Sequence, residues 1–197
     1  MLNHPPFRHH TQHGVSLLEV LITIVILAFG LLGLAGLQAK IQLVEVESFQ
    51  RAQAILLLND MSERISANRA NAATYASTTT WGTGNSQPTD CTSQAVVKDR
   101  DTCEWSNALR GASEQQSGVS TVGAMKDGRG CITEVQAPNL ATGVCTHGIY
   151  QITVVWQGLH QTAAPASAVT CGQGSYGTES YRRAISARIA IGLPTCI

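Results

Sequence analysis

Three kinds of residue in this sequence have the chemistry to act: six cysteines, six histidines, and one carboxylate set in a long apolar run. The cysteines fall at 91, 103, 131, 145, 171 and 196, with none in the first 90 residues. No pair makes a CxxC, which removes the zinc ribbon and the thioredoxin-type redox motif. An even number confined to the polar part of the chain points to disulfides formed in an oxidising compartment, the alternative being buried free thiols. Cys91, Cys103, Cys131, Cys145, Cys171 and Cys196 are therefore all disulfide candidates.

The histidines offer less. His4, His9, His10 and His13 crowd the first fourteen residues, and only His147 and His160 follow. There is no HExxH and no GxSxG. Gly123, Gly128 and Gly130 are not followed by the GK[ST] of a phosphate loop. Asp99, Asp101 and Asp127 lack the spacing of a calcium loop and read as turn acids. No catalytic constellation, cofactor site or metal site emerges, so the chain is not read as an enzyme. Trp81, Trp105 and Trp156 could form an aromatic binding surface, with core packing the simpler reading for the last two.

The lone carboxylate is Glu19. Residues 1–14, MLNHPPFRHHTQHG, are polar and carry Arg8 but no acid. From Val15 to Leu37 run 23 residues whose single charge is Glu19. At 1.5 Å per residue that run is roughly 34 Å long, enough for a bilayer core of about 30 Å. The basic leader stays in the cytoplasm and the cysteine-rich part is exported. A cleaved secretory signal has a shorter apolar run. A plain signal anchor fits the length but gives no reason for Glu19, whose burial in lipid costs about 2.5–3.5 kcal/mol. Glu19 either snorkels to the headgroups from the first turn of the segment or has a partner.

These groups need elements to hold them. No proline occurs between Pro6 and Pro88, and Ile41, Val44, Ala52, Ile55, Leu58 and Ile65 recur at helical steps. One helix is expected over 15–71, with 15–37 crossing the membrane. Gly30, Gly33 and Gly36 within it suit either close packing of membrane helices or a point where the helix can melt. Residues 72–90 read as a loop, Thr102–Leu109 as a short helix, 111–123 as a polar connection and 125–130 as a turn. Cys131–Gln136, Ile149–Trp156 and Tyr181–Ile191 alternate as strands. In the second, Tyr150, Ile152, Val154 and Trp156 share one face. In the third, Ile185, Ala187, Ile189 and Ile191 face inward and Arg182, Ser186 and Arg188 outward. The fold class is α+β: a long N-terminal helix packed on an antiparallel sheet, with 72–197 as a disulfide-bonded head. Lys plus Arg and Asp plus Glu are both 13, so no basic excess exists to neutralise phosphates, and no nucleic acid is expected as a partner. The nearest approach to a basic stripe is Arg182, Arg183 and Arg188.

Leader, Gly14, the run Val15-Ser16-Leu17-Leu18-Glu19 and the apolar span together resemble the class III signal of type IV pilins and related pseudopilins. Later segments are similar to PilV-type minor pilins: Glu104–Leu109, Gly128-Arg129-Gly130-Cys131-Ile132, Tyr150–Trp156 with Gln157-Gly158, and Tyr181-Arg182-Arg183. The resemblance implies a type IV pilin-like fold and a prepilin peptidase that cuts after Gly14 and methylates the new amine of Val15, a position where the family usually has Phe. It implies that Glu19, fifth residue of the mature chain, serves assembly by pairing with a neighbour's Val15 amine. The implied partners are the peptidase, other minor and major pilins met through the N-terminal helix, the inner-membrane assembly platform, and the lipid bilayer before assembly. The chain would begin in the inner membrane with a periplasmic head and end in an extracellular pilus. A type II secretion pseudopilin shares leader and helix, and a membrane-anchored exported domain remains the reading from another class. Six cysteines allow fifteen pairings. Neighbour pairing is preferred, 91–103, 131–145 and 171–196, the last tying a C-terminal loop to the closing strand as in pilins.

Overall fold

The computed structural model describes residues 14, 16–111, 115–116, 120–121, 125–141 and 143–192. Leader residues 1–13, Val15, most of the 111–123 connection and Cys196 lie outside the described residues. The chain divides after Val44 into two compact units.

The first unit contains the opening of helix α1, Leu17–Ala67. Ser16 starts the helix: its carbonyl accepts from the Glu19 and Val20 amides and its hydroxyl from the Leu18 amide. That satisfies donors which every helix N-terminus leaves unpaired. Within this unit each helical residue is exposed, from Leu17 at 90% through Phe29 at 71%.

The second unit begins at Glu45 and includes the rest of α1. Here the helix acquires a buried face, since Gln50, Ala54, Leu57, Leu58, Met61 and Ile65 recur at steps of three and four. A 3₁₀ segment, Arg69–Tyr75, follows, with a non-helical residue at Asn71. Strand β1 is only Trp81–Gly82, and helix α2 spans Val97–Leu109. Strands β2 (Gln115–Gln116) and β3 (Ser120–Thr121) form a separate antiparallel pair. Strands β4 (Arg129–Gln136), β5 (Gly148–Gln157) and β6 (Arg182–Ile191) complete a four-stranded antiparallel sheet in the order β1-β4-β5-β6. The register places Cys131 opposite Thr153, and Thr153 opposite Ser186.

The core lies between α1, α2 and one face of this sheet. Ile132, Tyr150, Ile152, Val154 and Trp156 meet Leu57, Met61 and Ile65 of α1 and Trp105 and Leu109 of α2. Trp105 is fully buried and its indole N–H donates to the Leu57 carbonyl at 2.8 Å, so α2 is tied to α1 by a hydrogen bond as well as by packing. Gly130 of β4 lies under the Trp105 ring, where an added Cβ would overlap ring carbons. Ser106 accepts from the Gly82 amide at 2.9 Å and thereby holds β1 to α2.

The fold is the expected α+β arrangement of a long apolar helix and an antiparallel sheet, consistent with the type IV pilin-like fold. The differences are local. Helix α1 stops at Ala67 rather than at 71, α2 starts five residues before Thr102, and the supposed loop 72–90 contributes β1. Trp81, like Trp105 and Trp156, is buried. Arg182, expected on the outward face, is only 2% exposed.

Candidate functional site

At the N-terminal end the described residues of interest are Gly14, exposed, and Glu19, exposed in the first turn of α1. An added Cβ at Gly14 would meet nothing within 4 Å, so the chain's own packing does not demand glycine there. Glu19 sits where the helix dipole presents positive potential, favourable for a carboxylate and unfavourable for an amine alone. Val15 lies outside the described residues. Gly30, Gly33 and Gly36 likewise meet nothing within 4 Å of an added Cβ, leaving a smooth strip on an exposed helix. This segment is long and apolar enough to cross a membrane, and its described helical residues are exposed. Its surface suits lipid or other apolar helices.

In the head the cysteines are sorted by geometry. Cys91 is joined to Cys103 of α2, an interval of 12 residues. Cys131 of β4 is joined to Cys171, 40 residues on. The expected 131–145 and 171–196 pairs are therefore wrong. Cys131 lies five residues before the end of β4 at Gln136, a distance of roughly 16 Å along a strand, while Cys145 belongs to the connection beyond that end. A disulfide needs Cα atoms within about 7 Å. Cys171 is instead brought over the outer face of β4 and β5 by the loop between β5 and β6. Cys145 is disulfide-bonded too.

That loop has three further ties which nothing in the residue pattern signalled. The Arg182 guanidinium lies beneath it, donating from Nη1 to the carbonyls of Val169 at 2.7 Å and Cys171 at 2.9 Å and pairing with Glu179 at 2.6 Å. Glu179 accepts from the Gly174 amide as well, and these bonds hold its carboxyl below the usual range. Arg183 reaches Glu47 of α1 at 3.1 Å and the His160 carbonyl at 2.6 Å. The same Glu47 oxygen takes the Leu159 amide at 3.0 Å, with the His160 ring Nδ1 3.1 Å away. Of the supposed basic stripe, Arg182 is buried and Arg183 is paired, while Arg188 donates to Gln151.

A second polar cluster closes the other end of α1. Arg64 contacts Asp60, Asp101 and Glu104 at 3.0, 3.1 and 2.6 Å. Burial opposes its charge, but hydrogen bonds to Glu104, Asp60 and Asp101 hold its pKa above the ordinary value. Tyr75, 1% exposed, donates to Asp101, and burial together with that bond pushes its phenol up to about 12. These contacts fasten α2 and the 3₁₀ segment to the helix. Among the described residues no group of three or more His, Cys, Asp or Glu is placed to hold a metal ion.

Residues 9–35, which include Gly14, Val15 and Glu19, match the family model of the prokaryotic N-terminal methylation motif. Residues 36–110, from the apolar helix through α2, match that of the type IV pilin Tt1218. Over residues 9–110 the sequence is similar to type IV pilins. Neither a curated protein nor a solved structure matches the chain. The two matches meet between Ala35 and Gly36, so together they run without a gap from the leader to the end of α2. The exposed helix and the packed head are two parts with different surfaces: one presents apolar surface, the other a disulfide-braced polar exterior.

Proposed function

We propose that this pilin is a minor subunit of the type IV pilus of the PilV kind, acting near the tip or in the complex that starts assembly. A prepilin peptidase removes residues 1–14 at Gly14 and methylates the amine of Val15. The chain then waits in the inner membrane, N-terminus cytoplasmic and head periplasmic, until the assembly platform passes it to other minor and major pilins. Val15 and Glu19 serve assembly. A mature amine and a carboxylate, each unpaired in an apolar filament core, are costly, and pairing them between neighbouring subunits removes both costs and sets the axial register. The chain works by being built in, and no reaction is assigned to it.

The observation that supports this reading is a coincidence of chemistry and exposure. The only charge in the apolar run, Glu19, falls in the first turn of a helix that is exposed on every side through Val46. The test is intact mass and N-terminal sequencing of the membrane-bound protein, made with and without the peptidase. The expected product begins at methylated Val15 and appears only with the enzyme. Gly14→Val should leave full-length precursor, since the residue has free space and its replacement disturbs the enzyme's approach rather than the fold. A chain that keeps Met1, or one cut within the apolar run, would overturn the reading. Recovery in sheared surface pili, as against retention in the envelope, distinguishes the pilus from a secretion pseudopilus.

A further inference from the structure

On the sheet face turned away from α1, a cavity of about 410 Å³ lies between two walls. Its floor is β4 and β5, where Thr133, Gln151 and Thr153 alternate with the inward core residues Ile132 and Ile152. One wall is the segment from Ser77 to Thr80, tied down by the Ser77 amide donating to the Ile132 carbonyl at 3.0 Å. The other is the stretch 168–171 of the β5–β6 loop. The Cys131–Cys171 disulfide joins floor to second wall, and the buried Arg182 donates to the carbonyls of Val169 and Cys171 on that wall. Both walls are therefore fixed before any ligand arrives, which spares a ligand the entropy of ordering them.

The lining has one chemical character. Ser77, Thr78, Thr80, Thr133, Thr153 and Thr170 supply hydroxyls and Gln151 an amide, and no ionisable side chain among the described residues takes part. A hydroxyl both donates and accepts, and can turn to suit an alcohol group facing it. Threonine also offers a methyl beside its hydroxyl, which, with Ala168 and Val169, suits the C–H face of a sugar ring. A charged ligand would lose its water here with no charged side chain in the lining to meet it, since the neighbouring Arg188 already donates to Gln151 Oε1 at 3.0 Å. A wholly apolar one would make no use of these hydroxyls, which keep lone pairs to offer even where they are held within the chain, Thr153 by Ser186 at 2.8 Å and Ser77 by Thr79 at 3.0 Å. The size falls in the usual range for small-molecule sites, about 300–1,000 Å³.

We propose that this groove binds a neutral saccharide, one or two sugar rings, so that the head is a recognition surface as well as a filament part. The groove lies wholly within the second unit, and the proposal stands whether or not the chain enters a pilus.

The test is saturation-transfer NMR on the full chain in a detergent without a sugar headgroup, with glucose, N-acetylglucosamine and lactose as probes and glucuronate as the charged comparator. Transfer to at least one neutral sugar is expected, and none to glucuronate at the same concentration. Thr133→Val keeps the side chain's shape and removes one hydroxyl, so affinity should fall about 3- to 10-fold. Ala168→Trp fills the groove from an exposed loop position and should abolish the signal, while Thr92→Val, outside the groove, should leave it unchanged. The proposal is overturned if none of the three neutral sugars receives transfer. It is equally overturned if glucuronate binds as well as they do, or if both Thr133→Val and Ala168→Trp bind like the wild type.

Discussion

At the level of single residues the protein separates groups that serve its own fold from groups that do not. Glu19 lies exposed in the first turn of α1, outside the packed core. Glu19→Ala should thus still be processed, while incorporation fails. Leaving one member of a buried pair alone costs about 3–5 kcal/mol, far more than the 1.4 kcal/mol of a tenfold change. Recovery of the variant in sheared filaments should fall at least tenfold against unchanged membrane levels; equal recovery would remove the pairing role. Gly130 is the opposite case, fixed by the Trp105 ring above it. Gly130→Ala forces that ring, and α2 with it, to shift, a kind of overpacking that costs about 1–3 kcal/mol. A urea unfolding curve should show the loss without any change in N-terminal processing. Glu19 was legible because a charge in an apolar run is conspicuous. Gly130 was not, since a glycine in a strand says nothing about which ring will lie over it.

At the level of elements, the strands with strict alternation were legible to within two residues at each end, because burial of one face imposes the pattern directly. The two-residue β1 was not: Trp81–Gly82 is too short to alternate, and it exists because the Ser106 hydroxyl and β4 hold it. Arg182 misled for a related reason. Its strand position points outward, but a loop from the same chain covers that side, and the residue pattern cannot reveal where a loop will fold back. The cysteine pairing failed at the same place and through the same loop. The junction of α1, the 3₁₀ segment and α2 makes a prediction of its own. Tyr75 holds its proton to about pH 12 in the folded state, against about 10 when unfolded. Below pH 10 both states keep the proton and stability is indifferent to it. Between 10 and 12 the unfolded chain releases the proton and the folded chain does not, so stability must fall as pH rises. Urea midpoints measured across that window should decline, and Tyr75→Phe should show a shallower decline; identical slopes would mean Tyr75 takes no part.

At the level of the whole molecule, one helix belongs to two compact units with opposite surfaces. It is apolar through Leu37 and exposed through Val44, and beyond Glu45 it surrenders one face to the head's core. The apolar half was plain in the sequence from composition alone, as was a polar head braced by disulfides. What the head recognises was not, because the six hydroxyls of the groove come from four separate stretches of chain and no motif unites them. The long β5–β6 connection adds a consequence for handling the protein. Residues 161–168 are almost all exposed and include Ala163, Ala164, Ala166 and Ser167, the sort of stretch proteases enter first. A cut there leaves Cys131 on one fragment and Cys171 on the other, still bonded, with β5 and β6 still paired along ten residues. The break should therefore be invisible on a non-reducing gel and appear as two bands only once thiol is added. A preparation of this protein can be broken in its backbone and still migrate, fold and sediment as a single piece.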